Sequence, residues 1–415
     1  MNFKKNISSS LKWILICVLI GFFSGSASAF LLVALEWAAQ LRTQNNWFIC
    51  FLPIGGLLIG LLYYYYGKEV VKGNNLLLEE YQTPQKTIPL KMAPFVLIGT
   101  IITHLFGGSA GREGTAVQMG GAISDQFTKL FQLDATDRKT LIILGISAGF
   151  ASVFGTPFAG AIFALEVLYC CKISLKSGIL SFIVAFFAYY TVELWQVHHT
   201  HYSIPVIPEL NLTNLLWIIP ASILFGLAAM LFSRSTHFWG NLFSKTISYP
   251  PSRPFVGGII LALVFYFFNA TKFMGLGIPG IVSSFSKPSE YYDFLIKILF
   301  TGFTLGAGFK GGEVTPLFFV GATLGSALSL FIPLPIALLA GMGFVAVFSG
   351  ATHTPVACTV MGIELFGFES AVFITIACFI AYLASGSIGI YHSQNSKGLK
   401  YHLYEKIKQS KLNYF

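Results

Sequence analysis

Eight long apolar stretches constrain this chain more than any other feature: 13–38, 48–66, 141–171, 179–194, 213–232, 255–268, 314–349 and 355–391. Some exceed the roughly 20 residues that carry a helix across a bilayer, and others, such as 94–107, fall short of it. Only 10% of the 415 residues are charged and 55% are apolar. A soluble globular chain carries about 25% charged residues, so a soluble fold of this sequence would lack polar faces to meet water. The expected fold is therefore an all-α polytopic membrane protein with the lipid bilayer as its solvent. About ten to twelve crossings are expected, with several partial ones.

The formal charge of +9 does not point to nucleic acid, because the cations form no basic stripe with interleaved aromatics. They gather at the two ends, as Lys4, Lys5 and Lys12 and as Lys397, Lys400, Lys406, Lys408 and Lys411. The positive-inside rule then puts both termini in the cytoplasm, with an even number of full crossings between them. Lys4-Lys5, an apolar run and Ala27-Ser28-Ala29 resemble a cleavable signal peptide. The run continues through Phe30–Leu35, however, and Gly21 and Gly25 are spaced for helix packing, so an uncleaved first helix is expected. None of the six cysteines forms a metal-ligand pattern. His198, His199 and His201 read as a solvated external tract. No metal and no cofactor is expected.

The chain repeats itself. Gly111-Arg112-Glu113-Gly114-Thr115 and Gly311-Gly312-Glu313-Val314-Thr315 set a glutamate at matching places 200 positions apart, and Gly121-Ala122 recurs as Gly321-Ala322. Gly149-Phe150, Val153-Phe154, Pro157 and Glu166 are echoed by Gly343-Phe344, Val347-Phe348, Pro355 and Glu364. Gly73-Asn74-Asn75-Leu76-Leu77 pairs with Gly275-Leu276-Gly277-Ile278-Pro279. One membrane domain over 1–415 is expected, made of halves near 10–200 and 210–395. A short cytoplasmic tail, 396–415, leaves no room for a regulatory domain. Inverted repeats commonly build a mid-membrane site from broken helices, and the interrupted Gly-rich segments fit that.

A carboxylate between apolar segments is costly unless it has a partner, a proton or a task. Glycines let successive backbone N–H groups converge, and the helix that follows adds a positive dipole end. Such an element can hold an anion. Glu113 is an anion tethered at that mouth. It can occupy the site when ionised and leave when protonated, which would couple proton uptake to anion movement. The plainer account of Glu113 is a helix cap bridged to Arg112, and that of Glu313 is a cap paired with Lys310.

Taken together, these motifs resemble the CLC family of anion channels and anion/proton antiporters. Gly111-Arg112-Glu113-Gly114 matches that family's G(K/R)EG element. Gly149–Val167, with Gly155-Thr156-Pro157-Phe158-Ala159-Gly160 and Phe163-Ala164-Leu165-Glu166, resembles its conserved helix. Gly312-Glu313-Val314-Thr315-Pro316 lies at its G-x-F-x-P element, and Tyr391 falls at its central tyrosine. The departures are informative. The first anion loop reads Gly73-Asn74-Asn75-Leu76-Leu77 in place of G-S-G-I-P, Thr115 replaces a common proline, and Glu313-Val314 replaces apolar residues. The internal proton-transfer glutamate aligns with Val167, although Glu166 precedes it. These changes resemble the fluoride/proton antiporter branch.

The resemblance implies a fluoride exporter driven by protons, in the plasma (inner) membrane of a microbe, conferring fluoride resistance. It also implies a homodimer with one pathway per subunit. Glu113 would gate and carry the proton, and Glu313 would serve as a second proton- or fluoride-linked carboxylate. The anion-binding candidates are Gly73, Asn74, Asn75, Arg112, Gly114, Thr115, Gly312, Val314, Thr315 and Tyr391. Asparagine amides and a phenol O–H can replace fluoride's water shell with close donors. A chloride/proton exchanger or passive chloride channel of the same family is the alternative. A membrane-embedded enzyme would need a metal or nucleophile set, and no His cluster, GxSxG or HExxH is present. Glu166 and Glu364 are expected to be structural residues at membrane boundaries. Tyr63–Tyr66 is expected to form an interfacial belt, and Ser109-Ala110-Gly111 to pack helices tightly.

Overall fold

The computed structural model describes residues 2–168, 174–394 and 400, with side chains from Ser10 onward. Lys4 and Lys5 as side chains, Cys170, Cys171 and the tail beyond Lys400 lie outside the described residues. Sixteen α-helices occur among the described residues, joined by short 3-10 turns and loops.

The helices fall into two series of eight. The first is α1 (Asn2–Gln44), α2 (Leu52–Tyr65), α3 (Asn74–Gln82), α4 (Met92–Leu105), α5 (Glu113–Leu130), α6 (Ala135–Phe154), α7 (Pro157–Val167) and α8 (Leu175–Leu194). The second is α9 (Leu212–Thr246), α10 (Ser252–Phe268), α11 (Ile278–Ser284), α12 (Asp293–Gly306), α13 (Val314–Leu328), α14 (Ile336–Thr352), α15 (Pro355–Phe366) and α16 (Ala371–Ala384). Each series holds a long first helix, a very short third one, and a short seventh that opens on proline at its first position. Proline suits that position, since its missing N–H would be unpaired there anyway.

The series run in opposite senses. α2 and α10 lie antiparallel, with Gly60 against Pro251, Gly56 against Pro254 and Gly258 against Pro53. α7 and α15 are also antiparallel. Glu166 near the end of α7 accepts from Val356 N (3.1 Å) and Ala357 N (2.7 Å), and Glu364 near the end of α15 accepts from Phe158 N (2.9 Å) and Ala159 N (2.7 Å). Both carboxylates thus hold a structural contact between the halves. Their task is reciprocal capping of half-helices: each carboxylate satisfies N–H groups that a helix start leaves unpaired.

The repeat register keeps the pairing of Pro157 and Glu166 with Pro355 and Glu364 but differs by one turn from the pairing of Gly149-Phe150 and Val153-Phe154 with Gly343-Phe344 and Val347-Phe348. α6 ends on Gly155 and α14 on His353, both left-handed (φ +73° and +58°). That sets Gly145, not Gly149, opposite Gly343 in the repeat. The functional reason is contact: α5 and α6 touch at Gly120 and Gly145, while α13 and α14 touch at Gly321 and Gly343.

α1 runs without a break through Ala27–Leu35. Its Gly21 and Gly25 lie on Phe187, Ala188 and Thr191 of α8, as the spacing predicts. The two helices are parallel, with Lys176 over the Trp13 ring at one end and Trp195 Nε1 bonded to Ser26 Oγ (2.9 Å) further along. Four described helices, starting at Ser10, Asn46, Leu175 and Leu212, are long and apolar enough to cross a bilayer alone. Seven more apolar helices have only 10–17 residues. α13 is one of these, and it starts inside the protein against Gly111, where backbone can leave the helix without meeting lipid.

Candidate functional site

The two glycine-rich elements meet at the centre of the molecule. Gly111 and Gly312 form a small antiparallel bridge, with Gly111 N donating to Gly312 O (2.6 Å) and Gly312 N to Gly111 O (2.7 Å). α5 and α13 therefore start side by side, one from each half. A Cβ on Gly114 would sit 3.0 Å from Asn74 Nδ2 and 3.1 Å from Gly312 Cα. Glycine at 114 lets the starts of α3 and α5 close on this loop, and a side chain there would hold them apart.

Glu113 is the first residue of α5 and is 1% exposed. Its carboxylate reaches across the repeat to the start of α13. Oε2 accepts from Thr315 N (3.0 Å) and Arg112 N (3.1 Å), and Oε1 accepts from the Thr315 hydroxyl. Arg112 Nε stands 3.8 Å from Oε1 and has no hydrogen-bond partner. The carboxylate thus occupies what a free anion would require: a helix N-terminus with converging donors and a nearby guanidinium. The expected pairing with Arg112 is present as an ion pair too long for a hydrogen bond, and the hydrogen bonds come from the Arg112 N–H and from Thr315 of the other half.

Glu313 is different. It stands immediately before α13 and caps nothing with its side chain. Its carboxyl has no hydrogen-bond or ion-pair partner among the described residues. The pairing with Lys310 does not form, because the Lys310 ammonium lies over the Tyr63 ring, 4.1 Å from its centroid. Gly311-Gly312 separate the two residues with non-helical backbone. Tyr391 is 9% exposed and close enough to feel the charge of both Glu313 and Glu113.

The two asparagines separate cleanly. Asn75 Oδ1 accepts from Ser393 N (3.0 Å), and Gln82 Nε2 donates to Ser393 O (2.7 Å). Asn75 therefore anchors the segment that carries Tyr391. Asn74 faces Gly114, and its Oδ1 is buried with no partner. Thr115 is turned away from the loop, its hydroxyl paired with Thr100 Oγ1 of α4 (2.7 Å). Gly73 starts α3 with φ +57° and lies against the Gln118 amide. Val314 is buried at the start of α13 beside Thr315.

Two residues of the site escaped the sequence reading. Gln118, one turn beyond Gly114 on α5, is 7% exposed, and its side chain makes no hydrogen bond among the described residues. Its signal was an amide inside a helix whose neighbours are nearly all buried. His199 lies on the loop between α8 and α9, on the face opposite the N-terminus. It is not a free solvated histidine: its Nε2 bonds Ser152 O (3.0 Å). With Arg112, Glu113, Thr200, Tyr202 and Thr315, it lines a cavity of about 30 Å3. No group of three or more His, Cys, Asp or Glu side chains is placed to hold a metal among the described residues.

Known proteins resemble this chain in sequence and fold. The family described as voltage gated chloride channel matches residues 55–386. A "Chloride/fluoride channel protein" of Pseudomonas syringae pv. tomato is 47% identical over 412 residues, covering 97% of this chain and 91% of that protein. A solved CLC-type fluoride/proton antiporter superposes with a TM-score of 0.90 at 35% identity, over 93% of this chain and 98% of that one. A slow cyanobacterial Cl−/H+ antiporter shares the fold at a TM-score of 0.78 and 18% identity, over 97% and 99% of the two chains. By the family match over residues 55–386 and the 47% identical relative, on a fold of eight helices repeated in the same order and opposite sense, the chain belongs to the CLC family, the voltage gated chloride channels and their antiporter relatives.

Proposed function

We propose that this protein exports fluoride in exchange for protons. The observation that carries the reading is the Glu113 carboxylate seated on the N–H and hydroxyl of Thr315, across the repeat. That seat holds one anion at a time. While Glu113 is ionised it fills the seat with charge-assisted hydrogen bonds. Protonation removes the charge that holds it there, so the side chain swings out with its proton and an external or internal anion takes the donors. Return of the carboxylate expels that anion. Proton uptake and anion release thus alternate at one place, which is the requirement for exchange rather than leak.

The donors around the seat suit a small, strongly hydrated acceptor. Thr315 offers N–H and O–H, and Asn74 and Gln118 offer amide N–H groups without partners among the described residues. Tyr391 offers a phenol O–H. A buried polar group left unpaired costs about 1–3 kcal/mol, so these amides favour an ion that approaches closely enough to satisfy them. Glu313, protonated, is a further donor beside the same space; ionised, it repels an anion.

Purified protein in liposomes is expected to release fluoride much faster than chloride. Asn74→Ser should narrow that gap, whereas Asn75→Ser should act through the placement of Tyr391 and slow both ions together. Equal release of the two ions by the unaltered protein would reject the fluoride assignment.

The working unit in this proposal is a homodimer in the plasma (inner) membrane, with both termini cytoplasmic. The described ends of the chain lie on one face, since Ser393 is bonded to α3 on the side where α1 begins. At α7 and α15, helix starts and their capping carboxylates lie beside half-exposed Phe158 (49%) and Val356 (45%). Polar backbone of this kind does not face lipid, so a second copy covering it is the economical arrangement. A cysteine introduced at Val356 should cross-link two copies in membranes; a wholly monomeric product would count against the dimer.

A further inference from the structure

A second, larger cavity lies away from the anion path, between α2, α10 and the loop that leads into α13. It has a volume of about 380 Å3. It opens on the side of the molecule where α1 begins, because α2 ends there and α10 starts there. Its walls are mostly apolar, with Ile59, Tyr63 and Tyr64 prominent, and three cations line it: Lys68, Arg253 and Lys310. No carboxylate lines it among the described residues.

None of the three cations has an ion-pair partner among the described residues. Lys68 lies over the Tyr64 ring at 5.1 Å, and Lys310 over the Tyr63 ring at 4.1 Å. Arg253 spends its Nε on Ile247 O (2.9 Å). A ring face compensates only some of an ammonium's lost hydration, and a charge removed from water calls for an opposite charge. Lys72 and Lys91 on the same side are paired, with Glu79 (2.7 Å) and Glu69 (2.7 Å). The cavity gathers three cations with no carboxylate beside them, and what it lacks is an anion with an apolar portion.

We infer that this cavity binds an anionic phospholipid of the leaflet on the N-terminal side, with its phosphate among Lys68, Arg253 and Lys310 and its acyl chains along Ile59 and α10. Charge complementarity and apolar walls together favour a lipid over free phosphate, which would leave those walls unused. The position fits as well. Tyr64, Tyr65 and Tyr249 cluster at the mouth, the headgroup level where such rings gather. Basic pockets between helices on the cytoplasmic side are recognised lipid headgroup sites.

The site bears on the gate through its deepest cation. Lys310 packs its stem on Gly99 of α4 and leads directly into Gly311-Gly312, the strand of backbone bridged to Gly111. A phosphate on Lys310 would hold that loop in place. This effect on rate rests on the transport reading above; the binding does not.

The test has two arms. Purified protein is offered phosphatidylglycerol or phosphatidylcholine of the same chain length, and retained lipid is read by native mass spectrometry. The unaltered protein should retain phosphatidylglycerol preferentially. Lys310→Gln and the more exposed Lys68→Gln should each weaken retention about fivefold, while Lys245→Gln, on the exposed end of α9, should leave it unchanged. Equal retention of the two lipids, retention unaffected by Lys68→Gln and Lys310→Gln, or displacement of the lipid by inorganic phosphate would overturn the inference. In the second arm, phosphatidylglycerol in the liposome should raise the transport rate of the unaltered protein but not of Lys310→Gln. Absence of any ion exchange in any lipid would remove the function proposed above and leave the binding arm standing.

Discussion

Glu113→Gln is expected to leave a folded protein that no longer couples anion movement to protons. The amide has nearly the shape of the carboxylate and can still accept from Thr315 N through its remaining oxygen. It cannot carry the charge that strengthens those bonds, and it cannot take up a proton at working pH. Its nitrogen would also face the Thr315 hydroxyl, where the carboxylate has an acceptor. Proton movement driven by a fluoride gradient in liposomes should fall by at least about 100-fold, the lower range for removal of a positioned proton-transfer group. Coupled transport at an unchanged rate would remove Glu113 from the proton path.

The other large effect is on folding. A Cβ at Gly321 would lie 1.9 Å from Gly343 O and 2.4 Å from its carbonyl carbon. α13 and α14 therefore touch through backbone, as small residues allow between membrane helices. Gly321→Ala cannot be relieved by turning a side chain, because the obstacle is backbone. The new methyl must separate helices that are buried along nearly their whole length. Overpacking of this kind costs about 1–3 kcal/mol and occasionally more, so a large drop in thermal stability in detergent is expected, read by the loss of monodisperse protein on heating. Gly178→Ala is the matched control: no atom lies within 4 Å of its Cβ position, and a helical glycine replaced by alanine gains about 0.5–1 kcal/mol. Equal melting of Gly321→Ala and the unaltered protein would mean that the helix crossing is looser than these distances require.

Much of this architecture could be read from the residues, and the misses have physical causes. The glycine-flanked glutamates and the Pro157–Glu166 and Pro355–Glu364 spacings are legible because a duplicated element keeps its turn chemistry. What the glutamates touch is not legible. Glu113 has Arg112 beside it in sequence, yet its carboxylate is bonded to Thr315, 202 positions away. Lys310 and Glu313 are three apart, the distance of a helix pair, but the two glycines between them lie outside the helix, and Gly312 forms the bridge to Gly111 instead. Asn74 and Asn75 are indistinguishable until Ser393, 318 positions on, claims one of them. The number of crossings cannot be counted from hydropathy, because helices that end inside the protein are apolar without spanning. His199 sits on a loop with no periodicity to mark it. Gln118 sits in a helix whose pattern marks only its apolar neighbours.

The central claim is exchange: one seat at the start of α13, filled in turn by the Glu113 carboxylate and by fluoride. Liposomes loaded with fluoride, with no proton gradient and a pH indicator inside, test it most directly. As fluoride leaves, the lumen should acidify beyond equilibrium with the bath, because each departing ion is exchanged for protons moving inward. Fluoride efflux with a lumen pH that stays at the bath value, under conditions that prevent passive HF passage, would contradict the account and describe a channel instead.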